Sequence, residues 1–240
     1  MDDKGFSPLD AVRSMSGSYL FGDGTPCPVL VEPRTLERVW VVSGENAGGK
    51  SLFCRALQQI VAADSKEAGS PVEVMRVGMD MRTQSGVLRG MMFGSEQDDS
   101  TGKNSVQTLL TGISTARSRT NPHWLVLDEP DVGVGEGYRH AIGELFASFA
   151  TDLPDNTLGF FVVTHAREIA APMIRAGASS VRIGDDLRPV EEWLREGDLP
   201  KTVDDLRELS RKGTERFRAI GSVLRDIPKE ERRHRGPGRG

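Results

Sequence analysis

Cysteine is nearly absent: Cys27 and Cys54 are the only two in 240 residues. Two cysteines cannot build a disulfide scaffold or complete a zinc site, and both are expected as buried free thiols of a reducing compartment. Long hydrophobic runs are also missing. The longest, Val39–Val42 and Leu158–Val163, have the length of strands, far short of the ~18 residues of a membrane span. The acidic start Met1-Asp2-Asp3-Lys4 has no apolar stretch behind it, so neither a secretory leader nor a membrane partner is expected, and the expected location is cytoplasmic. No sign of charge dominates: 31 Lys and Arg against 35 Asp and Glu leave 31 − 35 = −4, which excludes a basic nucleic-acid coat. None of the four histidines, His123, His140, His165 and His234, sits in a cluster with zinc-like spacing. What remains is 37% hydrophobic residues, enough for a core, and 27 glycines, which imply tight turns or close backbone approach to a ligand.

Apolar runs of strand length alternate with stretches of helical period, the pattern of an α/β fold around a mainly parallel sheet flanked by helices. Strands are expected at 28–31, 38–43, 72–78, 124–128, 158–164 and 180–183, several of them continuously apolar, as in strands covered on both faces. Helices are expected at 50–63, 105–119, 136–150 and 167–175. In the third, Tyr138, Ala141, Ile142, Leu145, Phe146 and Phe149 recur at helical spacing and predict the buried face. Beyond Gly184 the composition changes to charged amphipathic helices, 191–195 and 202–224, with Val203, Leu206, Leu209, Phe217 and Ile220 expected on the buried side. This organisation suggests a core over 1–184, a helical extension packed on it over 185–228, and a disordered basic tail over 229–240.

Gly44-Glu45-Asn46-Ala47-Gly48-Gly49-Lys50-Ser51 satisfies the phosphate-loop pattern G-x-x-x-x-G-K-[ST]. Glycines there let successive N–H groups turn inward around phosphates, and the helix that follows adds partial positive charge at its N-terminus. Lys50 would reach the β- and γ-phosphates, and the Ser51 hydroxyl would ligate Mg²⁺. A strand runs directly into the motif, and a helix-compatible run from Leu52 leaves it. Further on, Trp124-Leu125-Val126-Leu127 is followed by Asp128-Glu129-Pro130. Acids at the C-terminal end of a buried strand stand where open α/β sheets bind ligands. Asp128 can hold Mg²⁺ there, and Glu129 can polarise an attacking water.

The order of phosphate loop, Ser100-Thr101-Gly102-Lys103-Asn104-Ser105, Leu127-Asp128-Glu129-Pro130 and Val163-Thr164-His165 resembles the ABC-type P-loop ATPases, on the soluble SMC-like branch. It covers roughly residues 28 to 183. The resemblance implies that Gly44, Glu45, Asn46, Ala47, Gly48, Gly49, Lys50, Ser51 and Leu52 bind ATP as the Walker A loop. It makes Asp128 the Walker B acid, Glu129 the catalytic base and His165 the switch histidine. Ser100 and Gly102 would begin the signature that caps ATP on a second subunit, ahead of a helix starting at Ser105 with Val106, Leu109, Leu110 and Ile113 on one face. Gln84 is the candidate glutamine of the metal and water shell, with Gln97 as rival. The implied cofactors are ATP and Mg²⁺, and the implied assembly is an ATP-dependent homodimer that moves a partner protein or DNA. Two features depart from transporter ATPases. The signature is not Leu-Ser-Gly-Gly-Gln, and the 50 positions between Lys50 and Ser100 leave no room for a large helical arm or coiled coil.

Other classes compete. A P-loop kinase shares the Gly-rich loop, but a glutamate just past the Mg²⁺ acid suits water activation better than capture of an organic hydroxyl. In an AAA-type ATPase Thr164 would be a sensor and the C-terminal helices a lid. A nucleotide-dependent binding module would use the same loop with little turnover. Tyr19 and Phe21 are weak candidates for adenine stacking. His123 and His140 are expected as packing or surface residues, and Trp40 and Trp124 as strand core.

Overall fold

A computed structural model describes residues 7–78 and 101–226 of the chain. Gln84, Gln97, Ser100 and the tail 229–240 lie outside the described residues. Six strands, β1 (Val29–Glu32), β2 (Leu36–Gly44), β3 (Glu73–Gly78), β4 (His123–Asp128), β5 (Thr157–Val163) and β6 (Ala178–Ile183), form one sheet in the order β1-β6-β2-β5-β4-β3. The β2–β5, β5–β4 and β4–β3 pairings are parallel. Seven described helices accompany them: α1 (Pro8–Ser16), α2 (Lys50–Glu67), α3 (Thr101–Ser118), α4 (Glu136–Thr151), α5 (Arg167–Arg175), α6 (Val190–Glu196) and α7 (Val203–Asp226). This is the α/β architecture expected, with parallel pairings through most of the sheet and helices accompanying it.

The chain divides into two compact units. Among the described residues, one holds 32–43, 72–78 and 101–181, hence most of the sheet with α3, α4 and α5. β4 is buried along its whole length, as is all of β5 except Leu158, which is why both read as unbroken apolar runs. Phe161 is the centre of this core. Its ring stacks on Trp124 at 5.4 Å and on Trp40 at 6.3 Å, geometries that stabilise beyond area burial alone. Gly143 lets α4 settle on the start of α5, because a Cβ there would stand 2.7 Å from the Glu168 carbonyl oxygen. His123 is fully buried, with its ring nitrogens on the Asn121 carbonyl and the Thr157 hydroxyl, a packing role.

The other unit holds residues 7–31, 44–71 and 182–226 among those described. Ser7 caps α1 by accepting from the Asp10 N–H, the usual satisfaction of an orphan helix donor. Sequence reading missed α1 because it is short and follows a Ser-Pro start. Its buried Ala11, Val12 and Met15 belong to the same unit as Phe21 and Phe53, whose rings meet edge to face at 5.5 Å. Both cysteines are free and buried, as expected.

Several expected faces and boundaries are corrected. Tyr138 and Ala141 of α4 are exposed, because the contact face of α4 is centred on Ile142, Phe146, Phe149 and Ala150. Leu110 of α3 is exposed, while Leu109 and Ile113 are buried. Helix α3 begins at Thr101 and not at Ser105, so Gly102 and Ser105 are helical residues. Val203, Leu206 and Phe217 of α7 are exposed, not buried. The half-buried side of α7 runs through Leu209, Gly213, Arg216 and Ile220 instead.

Candidate functional site

The phosphate-loop pattern occupies the turn between β2 and α2. Gly44 has φ 151°, and a Cβ there would overlap the Ile183 carbonyl oxygen. Gly49, with φ 113°, presses against Cys27, whose Sγ would lie 2.6 Å from an added Cβ. Both conditions require glycine. Ala47, with φ 59°, is left-handed without being glycine, a conformation that costs energy unless its surroundings hold it. Arg216 of α7 supplies the hold: Nη1 donates to the Ala47 carbonyl at 2.5 Å, Nε to the Pro26 carbonyl at 2.7 Å, and Nη2 to Asp185 at 2.7 Å. Lys201 pairs with Glu45. The outward carbonyl of Ala47 is thus fixed from α7.

Lys50 is buried, and its Nζ donates to the Gly44 and Glu45 carbonyls at 3.1 and 2.9 Å. The ammonium is therefore stored inside the loop. The N-cap Gly49 offers no side-chain bond to the first turn of α2, so the N–H groups of that turn are not capped by a side chain. Asn46, Ala47 and Ser51 are exposed and Leu52 half-buried. Phe21 is removed from the list of adenine candidates, being 1% exposed and packed on Phe53.

The carboxylate residues belong to the other unit. β4 ends at Asp128, level with Val163 on β5, and Val163 is level with Val42 on β2. β4 and β5 therefore finish together, while β2 runs on to Gly44. Asp128 is buried, and one of its oxygens accepts from Arg76 of β3, from Nη2 at 2.6 Å and Nε at 3.2 Å. Glu129 follows in a left-handed conformation, φ 53°, with its N–H bonded to the Val163 carbonyl at 2.9 Å. That turn brings its Oε1 to 3.6 Å from Nε2 of His165. Beside His165, the Thr164 hydroxyl donates to Asp131 at 2.7 Å and accepts from the Ala166 N–H at 2.9 Å. A non-glycine residue in a strained turn, held at a strand end beside an imidazole, is the arrangement found at working sites.

Gly102 and Ser105 serve the same turn from α3. A Cβ on Gly102 would stand 2.7 Å from the Gly133 carbonyl oxygen, and Ser105 Oγ donates to the Val132 carbonyl at 3.0 Å. Within this chain their role is to seat α3 on residues 132–134.

The structure thus brings Asp128, Glu129 and His165 together in one unit and gathers Gly44 to Leu52 in the other. Sequence reading missed Arg76, Asp131, Lys201 and Arg216. Arg76 carried a usable signal, a lone cation in the apolar strand Val74-Met75-Arg76-Val77, which demands an anionic partner on burial. Arg216 carried none, because it is one of many charges on α7.

Hard oxygen donors, few in number, suit Mg²⁺, which keeps waters and phosphate oxygens in its shell. The Ser51 hydroxyl and the Asp128 carboxylate are each donors of that kind, one in each unit. Among the described residues no group of three or more His, Cys, Asp or Glu could hold a metal alone, and no helix is long and apolar enough to cross a membrane.

No family model matches the chain. No curated protein matches it. Among solved structures it is similar to the Aeropyrum pernix Orc1 protein in complex with DNA, at 14% identity and a TM-score of 0.35. The match covers 75% of this chain and 44% of that one, so the chain spans less than half of the Orc1 protein's length. A likeness of that size carries no argument about function.

Proposed function

We propose that this protein binds ATP with Mg²⁺ and hydrolyses it, as an ABC-type ATPase of the SMC-like branch. The observation that carries the reading is the end of β4 and β5, where Glu129, one residue past Asp128, meets His165 at 3.6 Å. A carboxylate beside an imidazole can take a proton from water and keep its orientation. Lys50 would leave the Gly44 and Glu45 carbonyls for the phosphates, a stronger pairing because donor and acceptor are both charged. Ser51 and Asp128 would hold Mg²⁺, which neutralises phosphate charge when bound. Gln84 would complete that shell.

The reading extends to assembly. Ser100 and Gly102 would cap ATP on a second copy, giving an ATP-dependent homodimer that moves a partner protein or DNA in DNA maintenance, phage or anti-phage work in the cytoplasm. The ATPase core would be 1–184, and 185–228 its helical extension. Calorimetry with Mg-ATP tests the loop. Lys50→Ala should bind far more weakly than wild type; equal affinity would overturn the assignment.

One observation favours a second reading, a nucleotide-dependent binding module with little turnover. Arg76 already neutralises Asp128, and Mg²⁺ must compete with it. If wild type shows no phosphate release at saturating Mg-ATP while Arg76→Met does, the second reading holds. Stimulation of hydrolysis by added duplex DNA would identify the partner class.

A further inference from the structure

Helix α7 presents an apolar seam that its own unit only half covers. Val203, Leu206, Ser210, Gly213, Phe217 and Ile220 follow one another at spacings of three and four residues, the repeat of a two-helix seam. Leu209, Gly213, Arg216 and Ile220 are half-buried on the phosphate-loop side. The other flank is open: Val203 is 64% exposed, Leu206 68% and Phe217 77%. Three large apolar side chains thus stand exposed on one helical stripe, Val203 and Leu206 on adjacent turns and Phe217 about three turns further along.

Charge along the helix says what covers it. Over 203–210 one Arg stands against Asp204, Asp205 and Glu208, so 1 − 3 = −2; over 211–222, leaving out Arg216, which is bound to Asp185 and the loop, three cations stand against Glu215, so 3 − 1 = +2. A second α7 laid antiparallel sets each acidic half against a basic half and opposes the two helix dipoles; laid parallel, like would face like. The antiparallel register also matches shapes. About a centre between Arg211 and Lys212, the exposed Leu206 of one helix faces the exposed Phe217 of the other.

We infer that α7 pairs antiparallel with α7 of a second copy of this chain, forming a two-fold interface that needs no nucleotide. Such an interface is isologous, each surface meeting its own copy. It is separate from the ATP-dependent closure through Ser100 and Gly102, and it stands or falls independently of it.

The test is light scattering without nucleotide and with a chelator, at about 50 μM protein, where a micromolar dimer is populated. The expected mass is twice 26.2 kDa, reverting to the single-chain mass in Phe217→Asp. Because that side chain is exposed, the variant should melt like wild type. Orientation is read by oxidation. Leu206→Cys combined with Phe217→Cys should cross-link two chains, while each single variant should not, since their sites lie ~16 Å from their own copies in the antiparallel register. A monomer at this concentration, a dimer indifferent to Phe217→Asp, or cross-linking of the single variants would each overturn the inference.

Discussion

Arg216→Ala removes three bonds at once, and their surroundings set the cost. The bond to the Pro26 carbonyl is partly buried, and a hydrogen bond from a charged group to such an acceptor contributes about 1.5–3 kcal/mol. Asp185 is largely exposed, so its pairing adds about 0–1 kcal/mol. The bond to Ala47 is exposed too, but it restrains a left-handed alanine, and its loss falls on the loop as well as on stability. Together these suggest about 2–4 kcal/mol, or a fall in Tm of roughly 4–16 °C for a chain of this size. Arg216→Lys should recover only part, because an ammonium cannot reach three acceptors in a fixed fork. Differential scanning calorimetry measures both variants, and Mg-ATP titration should show weaker binding in Arg216→Ala even at temperatures where it is fully folded. A melting point within a degree of wild type would refute the reasoning, since it would mean that α7 does not restrain the loop.

Other expectations are simpler. Gly49→Ala forces a Cβ against Cys27 at a φ of 113°, and chemical denaturation should show a loss of several kcal/mol, at the upper end of single substitutions. Asp186 is held at about 2 by its hydrogen bonds to Arg188, with Arg182 adding to the effect. A depressed carboxylate stabilises the fold above its unfolded value near 4 and loses that contribution as pH falls toward 2. Asp186→Asn should therefore flatten the acid limb of the stability curve; an unchanged limb would move the effect elsewhere. Burial, offset in part by Arg216, pushes the Cys27 thiol above its ordinary range, so a thiol reagent at pH 8 should label it only as fast as the protein opens.

Much of this architecture was legible because its signals are local. The buried strands announced themselves as apolar runs bounded by polar residues, and all six begin within two residues of their expected starts. The phosphate-loop glycines were readable as a motif, although all three also answer to packing, Gly44 and Gly48 against Ile183 and Gly49 against Cys27, which no motif records. The failures share a cause. Periodicity shows that a helix has an apolar side, not whether that side is covered: α4 leaves Tyr138 outside, and α7 turns Arg216 and Gly213 toward the loop while Phe217 faces solvent. Pairings between distant residues were equally silent. Arg76 meets Asp128 across 52 positions, and Arg216 meets Ala47 across 169; each depends on which strands and helices become neighbours.

The central claim is that Glu129 activates water on a triphosphate bound at the Gly44–Ser51 loop. Single-turnover release of phosphate from Mg-ATP, measured for wild type and Glu129→Gln beside the affinity of each for ATP, tests it most directly. The amide keeps the shape and removes the basicity, so binding should be retained while release slows by ~10²–10⁴-fold, the range of a lost general base. Phosphate released from Glu129→Gln at the wild-type rate, with ATP bound equally well, would contradict the account.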